Sequence, residues 1–312
     1  MSTAFYSHPA CRGHDMGQGH PECPQRLDAI TDHLLATGLD LALDHRQAPE
    51  ATREQLGRAH TSNYVNETHD LLQQVQIGGE SRAMDPDTWA GVGTLLAALH
   101  AAGAAVAATD DVLAGRAQNA FCAVRPPGHH ATRDATMGFC FFNTVAVAAR
   151  HALDVHGLQR VAIIDFDVHH GNGTEDIIAG DDRVLMCSFF QHPLYPYSGA
   201  VPKGTNMVNV PVAPYTRGPA VRQTITEMWL PELERFAPQM IFISAGFDAH
   251  REDDLGQMAL VEDDYAWITQ QLMDVARRHA QGRIVSCLEG GYSLSALARS
   301  VAAHVRVLAD VA

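Results

Sequence analysis

The sequence predicts an α/β protein with a mainly parallel sheet covered by helices on both faces. Three observations carry that expectation. Short β-rich runs alternate with longer helical ones along the chain. The β-rich runs are nearly continuous in apolar residues, as strands buried on both faces are. Four of them end in Gly-containing loops that hold His, Asp or Tyr, and ligands of parallel α/β sheets bind outside the carboxyl ends of the strands.

The expected strands are TAFYS (3–7), NAFCAV (119–124), RVAIIDF (160–166), RVLMCSFF (183–190), MVNVPV (207–212), QMIFISA (239–245) and GRIVSCL (282–288). Helical patterns fill 24–38, 62–75, 88–115, 143–157, 217–236, 263–280 and 293–311. Three of these end at Gly38, Gly115 and Gly157, a common helix stop. No repeat, low-complexity linker or change of composition divides the chain, so residues 1–312 read as one domain.

Composition narrows the function. The 312 residues are 46% hydrophobic and carry a formal net charge of −14. That charge argues against a nucleic-acid backbone or an anionic membrane as the main partner, and it tolerates a cationic substrate. Six cysteines form no C-x-x-C pair and sit mostly among apolar residues, the pattern of buried reduced thiols. The first residues lack a basic region followed by an apolar one. The apolar segment LLAALHAAGAAVAA is short for a bilayer and is broken by His100. The expectation is a cytoplasmic protein.

The four loops are RPPGHH (125–130), DVHHGNG (167–173), GFD (246–248) and EGGY (289–292). Asp165, Asp167 and His169 alternate, and along an extended segment a period of two puts them on one side. Asp167 and His169 could then grip one cation, with Asp248 as third ligand. Two carboxylates and an imidazole leave a position for water, the catalytic rather than the closed pattern for zinc. Iron(II) accepts the same mixed ligation. His129 and His130 follow a rigid Pro-Pro-Gly turn, where an imidazole can take a proton from water. Each needs a partner for its second nitrogen. Asp165 can serve one and Asn172 the other. Tyr292, after two glycines, could present its hydroxyl to a developing oxyanion. Phe139 and Tyr195 could wall a narrow apolar slot for the methylene stem of a lysine or polyamine.

The segments GHDMGQGHPECPQRL, RPPGHH, GFCFFNT, DFDVHHGNGTED, CSFFQHPLYP, VNVPV, SAGFDAH, DDLGQM and EGGYS occur in this order over nearly the whole chain. Together they resemble the histone deacetylase superfamily, which includes acetylpolyamine amidohydrolases. Asn172 in HHGNG, with the GFD and EGGY forms, is similar to the class II branch and its bacterial relatives. The resemblance implies an arginase-like fold around a mostly parallel eight-stranded sheet. It implies Zn²⁺ on Asp167, His169 and Asp248, His129 paired with Asp165, His130 as principal general base and acid, and Tyr292 on the carbonyl oxygen. Gly138, Phe139 and Tyr195 match the acyl-lysine tunnel, and Arg26 matches the arginine of an inner acetate cavity. Backbone oxygens of Asp165, Asp167 and His169, with Ser188 and Phe189, match a structural K⁺ site. Asp87 and Thr88 match a loop that touches substrate backbone. Leu255 occupies an apolar position where a polyamine-selective branch has Glu. Cys23, Thr144 and Tyr197 depart from the pattern, Tyr197 replacing a usual Gly at the tunnel mouth.

The activity expected is hydrolysis of acetyl or other short acyl groups from acyl-lysine in a protein or peptide. Acetylated polyamine is the alternative substrate, and a non-catalytic acyl-lysine binder is a third reading. A two-metal ureohydrolase would need more bridging carboxylates than one D-x-D-x-H and Asp248 provide. Homo-oligomerisation is left open by the sequence.

Overall fold

The computed structural model describes residues 2–311. Its elements are β1 (Thr3–Ser7), α1 (Gln25–Thr37), β2 (Leu43–Gln47), α2 (Arg53–Leu56), α3 (Ser62–Gly78), β3 (Arg82–Ala83), β4 (Trp89–Ala90), α4 (Thr94–Leu113) and β5 (Asn119–Cys122). Then come α5 (Thr144–Asp154), β6 (Val161–Asp165), α6 (Asn172–Ile178), β7 (Val184–Gln191), β8 (Met207–Val212), α7 (Gly218–Thr224), α8 (Leu230–Phe236), β9 (Met240–Ala245), α9 (Glu262–His279), β10 (Ile284–Leu288) and α10 (Leu294–Leu308). Eight strands form one sheet in the order β2-β1-β5-β10-β9-β6-β7-β8. Every pairing in it is parallel.

All seven expected strands are present. The eighth, β2, is LDHRQ at the sheet edge, where only Leu43 is buried and polar residues line the chain. An edge strand needs no apolar run, so nothing in the pattern marks it. The helix expected from residue 88 begins at Thr94, because Trp89–Ala90 pairs antiparallel with Arg82–Ala83. The segment 217–236 is α7 and α8 joined by a π-helical turn, Ile225–Trp229.

Helix register follows the apolar spacing. In α1, Leu27, Ile30 and Leu34 are buried, and Gly38 closes the helix at φ +72°, a left-handed conformation that suits Gly. In α9, Tyr265, Ile268, Leu272 and Val275 face the core. Three acids in its first turn and Arg277, Arg278 and His279 in its last complement the helix dipole. Helix α4 exceeds the short apolar run read from sequence. Its 20 residues would suffice to cross a membrane by length and composition, but 78% of the apolar window is buried inside this fold. It packs against β5, β10 and α5 as a core helix.

The four strands whose loops carry the polar residues are consecutive neighbours at the centre of the sheet: β5, β10, β9 and β6. Because all run parallel, their carboxyl ends share one edge. The six cysteines are free thiols and five are buried.

Candidate active site

Strand β6 ends at Asp165, and residues 167–169 form a bend rather than extended chain. The alternation of sides survives: Phe166 and Val168 belong to the apolar core, while Asp167 and His169 meet each other. His169 Nδ1 lies 3.0 Å from Asp167 Oδ1 and 3.1 Å from Asp248 Oδ2. One ligand atom from each of the three lies within 4.8 Å of the others. Both carboxylates are fully buried and oriented by backbone. Gly290 N–H donates to Asp167 Oδ2 at 2.9 Å, and Val168 N–H donates to Asp248 Oδ1 at 2.9 Å. Gly290 permits this approach: a Cβ there would stand 2.1 Å from Asp248 Oδ2.

The donor set is two carboxylate oxygens and one imidazole nitrogen in a water-poor setting. Burial and the neighbouring Asp167 push Asp248 up to about 7. His169 is raised to about 10, because Asp167 and Asp248 outweigh burial. Such a set favours positive charge among its atoms, and its chemistry fits a divalent ion such as Zn²⁺ with room for further ligands.

The histidine tandem sits beside this set. Gly128 and His129 N–H groups donate to Glu289 Oε2 at 2.6 and 3.1 Å, which pins the turn. His129 Nδ1 meets Asp165 Oδ2 at 3.0 Å, and His130 Nδ1 meets Asn172 Oδ1 at 2.7 Å. The two rings stand 4.0 Å apart. Their environments pull their basicities apart. Burial opposes charge on His129, but Asp165 and Asp167 prevail and raise its pKa well above the ordinary value. Burial, then His129 and His169, depress His130 well below it. Of the pair His169-His170, only the first faces the site. His170 Nε2 turns to the buried Glu175 at 2.9 Å.

A pocket of about 240 Å³ opens onto these groups. Asp87, His130, Gly138, Phe139 and His169 line it, with Leu194, Tyr195, Tyr197, Leu255 and Tyr292. Phe139 lies edge-on to Tyr292 at 6.0 Å, and Tyr195 edge-on to His130 at 5.1 Å. Gly138 lies against the His130 ring, and a Cβ there would stand 2.4 Å from His130 Cδ2. Tyr292 is fixed through its backbone N–H, which donates to Asp253 Oδ2 at 2.6 Å. Burial raises its phenol pKa well above 10 against the pull of Arg26, so the hydroxyl keeps its proton. Tyr197 has φ +61° and is 74% exposed at the mouth. A larger cavity, about 460 Å³, lies at the opposite end of the sheet beside Thr3 and Asn119, away from this chemistry.

Arg26 stands outside the pocket lining. Its Nε donates to Gly291 O at 2.7 Å and its Nη1 to Glu22 Oε1 at 3.1 Å, and its guanidinium lies 5.0 Å from the Tyr292 ring centre. Glu22 also takes Nη2 of the buried Arg125 at 2.6 Å. Burial alone would raise Glu22, but Arg125, His14 and Arg26 bring it down to about 2. Strand register sets Ser188 opposite Asp165 and leaves Phe189 next in β7. Glu22, Arg125 and Leu194 carry no local signal in the sequence, and the acidic run 252–254, which reads as solvated surface, instead buries Asp253 against the Tyr292 backbone. Glu289 was legible only as part of EGGY. A second carboxylate–histidine group, Asp110, His151 and His156, joins α4 to α5 and the chain beyond. Arg58 donates to His151 Nδ1 at 2.8 Å, which leaves the proton on the Nε2 that faces Asp110. This group reads as a hydrogen-bonded brace.

An all-parallel sheet thus brings this ligand set, the histidine tandem and Tyr292 together at one edge. Comparison with known proteins gives the family. The histone deacetylase domain matches residues 20–308, and the chain belongs to that family. It is 42% identical to the histone deacetylase-like amidohydrolase of Pseudomonas aeruginosa, over 88% of this chain and 73% of that protein. It is 37% identical to a probable deacetylase of Archaeoglobus fulgidus, over 94% and 82%. It is 36% identical to the polyamine deacetylase HDAC10 of Homo sapiens, over 99% of this chain but 48% of that one. The crystal structure of the HDA15 HD domain superposes with a TM-score of 0.92 at 34% identity, covering 100% of this chain and 89% of that one. The fold is therefore the arginase-like α/β fold of the deacetylases.

Proposed function

We propose that the protein is a zinc-dependent amidohydrolase that removes acetyl or other short acyl groups from acyl-lysine side chains. The observation that carries this reading is the convergence of Asp167, His169 and Asp248 on one point at the end of a narrow pocket walled by Phe139 and Tyr195. Zn²⁺, held by those three residues, would supply Lewis acidity toward the amide carbonyl and acidify water.

The chain's own groups carry the proton transfers. Neutral His130 is the base that takes a proton from the attacking water, since its Nδ1 is engaged by Asn172 and its Nε2 is left to act. His129, whose pKa Asp165 and Asp167 raise against burial, is held by Asp165 and orients the pair. The Tyr292 hydroxyl donates to that oxyanion. Imidazolium His130 then returns its proton to the leaving amine. Phe139, Tyr195 and Leu194 exclude water along the methylene stem. One ion suits the site better than two, because the set contains no further bridging carboxylate. A structural K⁺ would take the backbone oxygens around Asp165 and Ser188. We place the enzyme in the cytoplasm.

The name of the human relative keeps acetylated polyamines as the second reading, and Leu255 at the pocket mouth, rather than Glu, favours acyl-lysine. A kcat/KM ranking of acyl-lysine peptides, acetylpolyamines and acyl-chain variants tests the choice. Acyl-lysine should lead, and a ranking led by acetylpolyamines would overturn it.

A further inference from the structure

A second cavity adjoins the acyl pocket. It measures about 440 Å³ and is lined by Met16, Gly17, His20, Pro86, Trp89 and neighbouring residues. Asp87 and Phe139 line both cavities and stand where the two adjoin. A substrate seated with its acyl group beside Tyr292 has these two residues on one side of its path out of the pocket.

The side groove has a definite chemistry. Trp89, 41% exposed, contributes its indole to the groove wall. The loop that carries it is fixed: Phe139 N–H donates to Thr88 Oγ1 at 2.8 Å, and Thr88 is fully buried. The Asp87 carboxyl, half-buried at the junction, accepts from Thr88 Oγ1–H at 3.1 Å and shares a hydrogen bond with the Asp85 carboxyl. Asp85 lies behind it and is engaged by the backbone N–H groups of Asp87 and Thr88 at 2.9 and 2.6 Å. The two carboxyls crowd each other, and burial with that crowding raises the pKa of Asp87. His20 is the other titratable group on the groove wall. Its Nδ1 accepts the Glu22 N–H at 3.1 Å, and its ring packs edge-on against Phe139 at 4.7 Å. An exposed indole beside a carboxyl pair, Asp85 and Asp87, that no Lys or Arg engages attracts a cation by ring quadrupole and Coulomb terms together. The chain's charge of −14 adds long-range attraction of the same sign.

We propose that this groove is a substrate subsite for a cationic group, an ammonium or guanidinium that the substrate carries beyond the amide being cleaved. The assignment rests on the deacylase reading above. The cation has two sources, a basic residue flanking an acyl-lysine or the free amine of a monoacylated diamine, and both use the same contacts.

The test compares matched substrates that differ only in the remote charge. One arm uses acetyl-lysine peptides with a neighbouring Lys or Gln. The other uses a monoacetylated diamine against the corresponding acetylated amino alcohol. The cationic member should lead in kcat/KM by roughly tenfold in at least one arm, and the arm that shows it identifies the source. Asp87→Asn and Trp89→Leu should each collapse that ratio, and raised salt should shrink it. Turnover with a ratio near one in both arms, or a ratio indifferent to both substitutions, overturns the subsite alone. No turnover of any member overturns the deacylase reading and takes the subsite with it.

Discussion

His130 Nδ1 lies 2.7 Å from Asn172 Oδ1, while the Asn172 amide nitrogen turns toward Met137 Sδ at 3.2 Å. The amide oxygen can only accept, so His130 carries its proton on Nδ1 and offers an unprotonated Nε2. Asn172→Asp would replace a neutral acceptor by a carboxylate and stabilise the imidazolium. The acid limb of the kcat/KM profile, which reports the free base, should move to higher pH by about one unit. An unmoved limb would remove His130 as the base.

Tyr292 offers a phenol that stays protonated at every working pH. Tyr292→Phe should lower kcat by roughly 10²–10³-fold with a small change in KM, the usual cost of one oxyanion donor. Its backbone anchor to Asp253 does not involve the ring, so the fold is kept. Near-normal turnover in steady-state kinetics would take the hydroxyl out of the reaction.

Chelation should abolish turnover, and one equivalent of Zn²⁺ per chain should restore it. Asp248→Asn should weaken metal retention in elemental analysis, because it removes one of two anionic ligands. Two equivalents bound with similar affinity in the wild-type pocket would favour the two-metal alternative.

Acid should destabilise the fold well above the carboxylate range. His60 and His304 are buried neutral: burial lowers them to about 4 and about 3. His60 donates to Thr132 O and accepts from Asn143 N–H. His304 lies between Thr269 and Ser286 hydroxyls. A base whose folded pKa is depressed stabilises fully above its unfolded pKa of about 6.5 and loses that contribution as pH falls toward the folded value. Denaturant midpoints should therefore fall from about pH 6.5 downward. His304→Gln should flatten the dependence by about one proton.

Much of this is legible in the sequence, for a physical reason. A buried strand must be apolar, so Asp165 at the end of VAIID and Glu289 after IVSCL mark where the sheet stops and chemistry begins. What stayed hidden depends on tertiary partners. The period of two picks out His169 over His170, but the partner of His170 is invisible in the sequence. One joins Asp167 and Asp248, and the other turns to Glu175. The buried Arg125–Glu22–Arg26 cluster joins residues 103 positions apart. Strand β2 has no apolar run because an edge demands none. The bend at 167–169 replaces the expected extension, yet it keeps the alternation that made Asp167 and His169 readable as a pair.

The reacting groups hang from four adjacent inner strands, whereas the rim is assembled from excursions, the 84–89 hairpin and the turn carrying Tyr195 and Tyr197. Mutational drift in those excursions alters which molecules are admitted without disturbing the proton relay beneath. Descendants of such a chain can change diet while keeping one reaction, and swapping the two rim segments between relatives should transfer preference more readily than rate.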